Sequence, residues 1–120
     1  MTLIGFKLLA LSDISSELFS PDQGLFSVQE QRLCKEQKYS ARNFAARLAA
    51  KFACVDAFSP VMKISPGSVQ ITTLSIRPKV VLSDSRCSAW NIEVSLTHSS
   101  SYAAALCAVT KDDLFFCKTP

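Results

Sequence analysis

No apolar run in this sequence reaches the ~18–20 residues that a bilayer-spanning helix needs, so a membrane-anchored reading is set aside. The N-terminal stretch Met1–Leu11 is apolar but interrupted by Lys7, and no small-x-small cleavage site follows it. It reads as a buried first strand rather than a leader. Zinc-type motifs are missing too. The five cysteines, Cys34, Cys54, Cys87, Cys107 and Cys117, form no Cys-x-x-Cys pair and no Cys/His group with ligand spacing. Their odd number, and the apolar settings of Cys54 and Cys107, point to reduced thiols acting as small hydrophobes in a cytoplasmic protein. Strong charge of either sign is also absent. The formal net charge is +3 and no basic run is interleaved with aromatics, which argues against nucleic acid as a partner. A phosphate-bearing ligand or an acidic protein suits the mild positive balance.

What is present is globular composition: 48% hydrophobic and 19% charged residues in a chain of 120. That size predicts one compact domain, over residues 1–110, with a tail at 111–120. Residues 2–11 have strand length. Ser12–Glu17 offers capping chemistry for a short helix, and Ser20–Gly24 carries turn residues. Ser27 and Glu30 form a capping box that opens a helix to about Gln37. Ser40 is expected to cap a second helix over 41–57. Phe44, Leu48, Phe52 and Val55 share one face of it, with alanines at 45, 46, 49, 50 and 53 allowing close packing. Ser59-Pro60 ends it. Beyond Pro66-Gly67 the period becomes two. Strands are predicted at Val69–Thr73, Pro78–Leu82, Asn91–Thr97 and Tyr102–Val109, the last apolar on both faces. His98–Ser101 would join the final pair as a hairpin. Helices early and strands late predict an α+β domain with a mainly antiparallel sheet. Leu114-Phe115-Phe116 in the tail needs an apolar partner.

Two stretches carry the chemistry. Val94-Ser95-Leu96-Thr97-His98 runs through three serines to Tyr102-Ala103, and upstream stands Arg47-x-Ala49-Ala50-Lys51-x-Ala53. With Ile4-Gly5, Phe26-Ser27-x-x-Glu30, Cys34 and Arg77-Pro78-x-Val80, and in this order, the chain resembles the holo-[acyl-carrier-protein] synthase family of 4′-phosphopantetheinyl transferases across about residues 3–110. The resemblance implies transfer of 4′-phosphopantetheine from coenzyme A to a serine of an acyl carrier protein, with Mg²⁺ as cofactor. It also implies a homotrimer with sites between subunits; a mixed trimer with a paralogue goes with a catalytically silent relative. Lys51 and His98 map onto family residues at the coenzyme A site and are the catalytic candidates. Arg47, Ser95 and Thr97 join them as candidate coenzyme A contacts.

The same comparison marks departures. The family's two metal-binding carboxylates fall at Leu9 (or at Ala10 with a one-residue shift) and at Phe52, none of which can ligate a hard cation. The lysine one turn after the second falls at Asp56, and an arginine that grips the carrier falls at Ser16. Asp13 and Asp56, each four residues beyond a lost ligand, are candidate substitutes. On a helix that displacement is about 6 Å along the axis. Two further readings therefore stand beside the enzyme. One is a catalytically silent relative that still binds coenzyme A or a carrier protein. The other is a structural module that makes contacts through Leu114-Phe115-Phe116.

Overall fold

A computed structural model describes residues 1–72 and 78–111, with only the backbone of Pro21. Thr73 and Arg77, and the whole tail from residue 112 with its Leu114-Phe115-Phe116, lie outside the described residues. The elements are β1 (Thr2–Ala10), α1 (Val28–Lys35), α2 (Ser40–Phe58), β2 (Val69–Thr72), β3 (Lys79–Leu82), β4 (Trp90–His98) and β5 (Tyr102–Lys111), with short 3₁₀ turns between them. The α+β class holds. β1, β5 and β4 form an antiparallel sheet in that order, and β2 pairs with β3 in a separate antiparallel ribbon.

Helix α2 lies across one face of the three-stranded sheet. Its sheet-facing side consists of small residues: Ala49, Ala50, Ala53, Cys54 and Ala57 are buried against Ala105, Cys107 and Val109 of β5. Small side chains let helix and sheet approach closely, and Gly5 of β1 takes this furthest. A methyl group there would collide with the Ala53 carbonyl oxygen and the Ala57 nitrogen. The predicted Phe44–Leu48–Phe52–Val55 stripe is therefore not the main seam. Phe44 and Leu48 join Phe26 and Cys34 in a second cluster, with Phe52 and Leu9 packed at its margin. In it Phe19 stacks on Phe44 at 4.5 Å between ring centroids, and Phe26 meets Phe44 edge-on at 5.2 Å.

The capping box is complete: Glu30 N donates to Ser27 Oγ and Ser27 N donates to Glu30 Oε1, each at 3.1 Å. Helix α1 stops at Lys35, two residues before the expected Gln37. Ser40 is the first residue of α2 and not its cap. Tyr39 holds the cap position, and its side chain makes no capping hydrogen bond. Two strand readings are also corrected. β1 is an edge strand, with Ile4, Phe6 and Leu8 exposed on the sheet face away from α2. Among the described residues β5 is central but covered on one face only, leaving Tyr102 and Leu106 exposed. Both deviations have one cause: a single helix covers a single face. His98 closes β4, so the hairpin loop is Ser99–Ser101, held where Ser99 N donates to Tyr102 O at 2.8 Å. No helix among the described residues is long and apolar enough to cross a membrane.

Candidate functional site

Strand register brings the two motif stretches together. Leu9 of β1 and His98 of β4 both pair with Ala103 of β5, so the three form one row across the sheet, on the face toward α2. Ala103 is buried against Ala45 and Ala46 of α2, with Leu96 packed beside them. The histidine hairpin and the alanine-rich helix therefore share one end of the fold. His98 is exposed there. Leu11 N donates to Ser101 O at 2.9 Å and fastens the turn after β1 to the hairpin.

The other candidates divide. Ser95 and Thr97 are exposed, and strand alternation puts them on the opposite face from His98, in rows with Phe6–Leu106 and Leu8–Ala104. They line the open apolar face rather than the His98 end.

Lys51 is 0% exposed. Its ammonium donates to Glu30 Oε1 at 2.8 Å and to the Val69 carbonyl oxygen, and lies 5.0 Å from the Phe26 ring centroid. Burial pulls its pKa below the ordinary lysine value, while the Glu30 carboxylate pushes it back up. Enclosed in this way, Lys51 ties α2 to α1 and β2. Arg47 is likewise buried, at 5% exposure, bonding to Asn43 at 3.5 Å and facing Cys34. Both cations point away from solvent because α1 and the phenylalanine cluster close over that side of α2.

Glu30 is the residue whose role the sequence did not disclose. Besides capping α1 and pairing with Lys51, its Oε2 accepts from Ile71 N at 2.9 Å. One buried carboxylate thus joins α1, α2 and β2. The capping box announces the first bond. Nothing local announces partners 21 and 41 residues away.

The expected metal positions, Leu9 and Phe52, border one apolar cluster. Both are half-buried and pack on the Phe26–Cys34–Phe44–Leu48 cluster. Their side chains offer no donor atoms. Asp13 ends a 3₁₀ turn and Asp56 lies on α2, both exposed. No group of three or more His, Cys, Asp or Glu side chains able to hold a metal ion exists among the described residues. The donor set does not fit Mg²⁺. Above the Phe52 ring stands a cation, the Lys7 ammonium, 5.7 Å from the centroid. Ser16, where the resemblance expects an arginine, lines a cleft of about 500 Å³ with Phe19, Ser20, Lys35, Ser40 and Phe44.

Among solved structures, the acyl carrier protein synthase of Mycobacterium tuberculosis superposes with a TM-score of 0.71 at 27% identity, over 92% of this chain and 97% of that one. The chain shares the fold of the holo-[acyl-carrier-protein] synthases. The synthase of Chronobacterium ammoniagenes, solved with coenzyme A, gives a TM-score of 0.77 at 21% identity, over 93% of this chain and 98% of that one. The Helicobacter pylori synthase, also in complex with coenzyme A, gives 0.74 at 21%, over 90% and 100%. No family model matches the sequence, and no curated protein does. The synthase architecture is thus matched along nearly the full chain.

Proposed function

We propose that this chain acts as a holo-[acyl-carrier-protein] synthase: it binds coenzyme A and passes 4′-phosphopantetheine to a serine of an acyl carrier protein. The observation that carries this reading is the near-full-length match to synthases, two of them solved with coenzyme A. The Leu9–Ala103–His98 row set against α2 supports it. In the reaction the serine oxygen bonds to the phosphorus nearer the pantetheine. The phosphoanhydride bond breaks and adenosine 3′,5′-bisphosphate leaves. The exposed His98 imidazole is the group placed to accept the serine proton or to bond a phosphate oxygen. Lys51 and Arg47 act from inside, by fixing α2.

Subunit assembly belongs to the same proposal. The open face bearing Ile4, Phe6, Leu8, Tyr102 and Leu106 suits packing against further copies as a trimer, with Ser95 and Thr97 brought to the seam. The cleft beside Ser16 and Lys35 is where an acidic carrier protein would dock.

Incubation with apo carrier protein and coenzyme A, followed by intact mass measurement of the carrier, tests the activity. The expected result is a gain of one phosphopantetheine group. No gain with any of several carriers, alongside measurable coenzyme A binding, would leave a binding protein in its place.

A further inference from the structure

The place that lacks metal ligands is not merely apolar. In β1 the residues turned toward α2 are Leu3, Gly5, Lys7 and Leu9. Lys7 pairs with buried Ala105, and Gly5 seats on the α2 backbone. Lys7 therefore starts from the sheet face that α2 covers, yet it is exposed, and its ammonium lies 5.7 Å from the Phe52 ring centroid. It stands beside both positions where carboxylates were expected: two residues before Leu9 on the same strand face, and above Phe52.

The other cations of these two elements are committed elsewhere. Arg42 stacks on the Tyr39 ring at 4.0 Å, Arg47 is buried, and Lys51 is enclosed by Glu30. Lys7 makes no ion pair with any described residue, and Asp56, one turn beyond Phe52, is unpaired as well. The charge arithmetic is simple. Two carboxylates holding a divalent cation sum to zero. Here both carboxylates are gone and the Lys7 ammonium stands beside the place. Such a spot repels a divalent cation and attracts a diphosphate directly, and the Phe52 ring face favours an ammonium above it.

Resting on the coenzyme A reading above, we propose that Lys7 takes the place of the divalent cation in this chain. Its ammonium holds the diphosphate of a coenzyme A-type ligand at the β1–α2 edge, and binding requires no Mg²⁺. Lys7 is thus a binding residue whose charge, not its packing, does the work.

Calorimetric titration of the full chain with coenzyme A, in EDTA and in excess Mg²⁺, tests this. The expected Kd is the same in both buffers within about twofold. Lys7→Gln should weaken binding by about fivefold or more in both, the loss of one charge-assisted contact, and Lys7→Arg should restore it to within about twofold. Lys7 is exposed, so unchanged melting temperatures are expected for both variants. Binding that tightens about tenfold or more with Mg²⁺, or that is indifferent to Lys7→Gln, overturns the proposal and leaves the coenzyme A reading standing. No binding of coenzyme A in either buffer overturns both.

Discussion

Glu30 accepts three hydrogen bonds inside the protein, from Ser27 N, Lys51 Nζ and Ile71 N. Removing one partner of such a pair strands the other charge in a poor solvent. Lys51→Met should therefore cost about 3–5 kcal/mol in urea unfolding. Glu30→Ala should cost at least as much, since it also leaves two backbone N–H groups without acceptors. The double replacement Lys51→Met with Glu30→Leu should cost less than the sum, and a strictly additive cycle would contradict a direct pair. His98 is exposed, so His98→Ala should leave the melting temperature unchanged. Transfer should slow by about 10²–10⁴-fold if the imidazole handles the proton, and an unaltered rate would remove His98 from the reaction. Cys34 gives a pH signature. Burial pushes its thiol from 9.0 to about 11, against the lowering effect of Arg47. The folded value lies above the unfolded one, so this contribution to stability is complete below pH 9 and disappears as pH rises toward 11. Cys54 is shifted upward as well, chiefly by its hydrogen bond with Cys107. Lys51, shifted downward, opposes the trend. Melting temperature should fall between pH 9 and 11 in the native chain, and less steeply in Cys34→Ala.

At the scale of elements, Gly5 is the tightest joint. Gly5→Ala forces a methyl into the α2 backbone, which cannot give way as a flexible side chain would. A loss above the ~1–3 kcal/mol usual for overpacking is expected in urea unfolding, and a variant as stable as the parent would show that β1 and α2 are less closely seated. Most elements were legible beforehand because local chemistry dictates them. The Ser27/Glu30 box opens α1, Ser59-Pro60 closes α2, and the alternation Ile92–Val94–Leu96 marks β4. What failed to show depends on contacts between elements. Ser40 looks like a cap because caps are read from residue type, but the chain enters α2 through Tyr39. β5 is rich in small apolar residues on both sides, which reads as double burial until only one helix is seen to cover it. The candidate site divides in the same way. His98 and the Leu9/Phe52 convergence follow from motif order. The enclosure of Lys51, the divergence of Ser95 and Thr97 to the far face, and the placement of Lys7 over Phe52 follow only from the register of β1, β5 and β4.

For the molecule as a whole, the uncovered sheet face is the feature most in need of a partner. Ile4, Phe6 and Leu8 are 65%, 57% and 55% exposed and lie side by side with Leu106 and Tyr102. A patch of this kind on a lone domain invites association. Phe6→Glu with Leu106→Glu should turn the proposed trimer into monomers in native mass spectrometry while leaving the helix content unchanged. A parent chain already monomeric at micromolar concentration would refute the trimer. The seat of Gly5 on α2 reaches into this larger picture as well. Because bare backbone touches bare backbone there, the helix works as a fixed gauge for the width of the notch between β1 and Phe52. The span that the Lys7 side chain must bridge is set by that gauge. A single carbon atom added at Gly5, remote from any ligand, would widen the notch and loosen the protein's hold on phosphate.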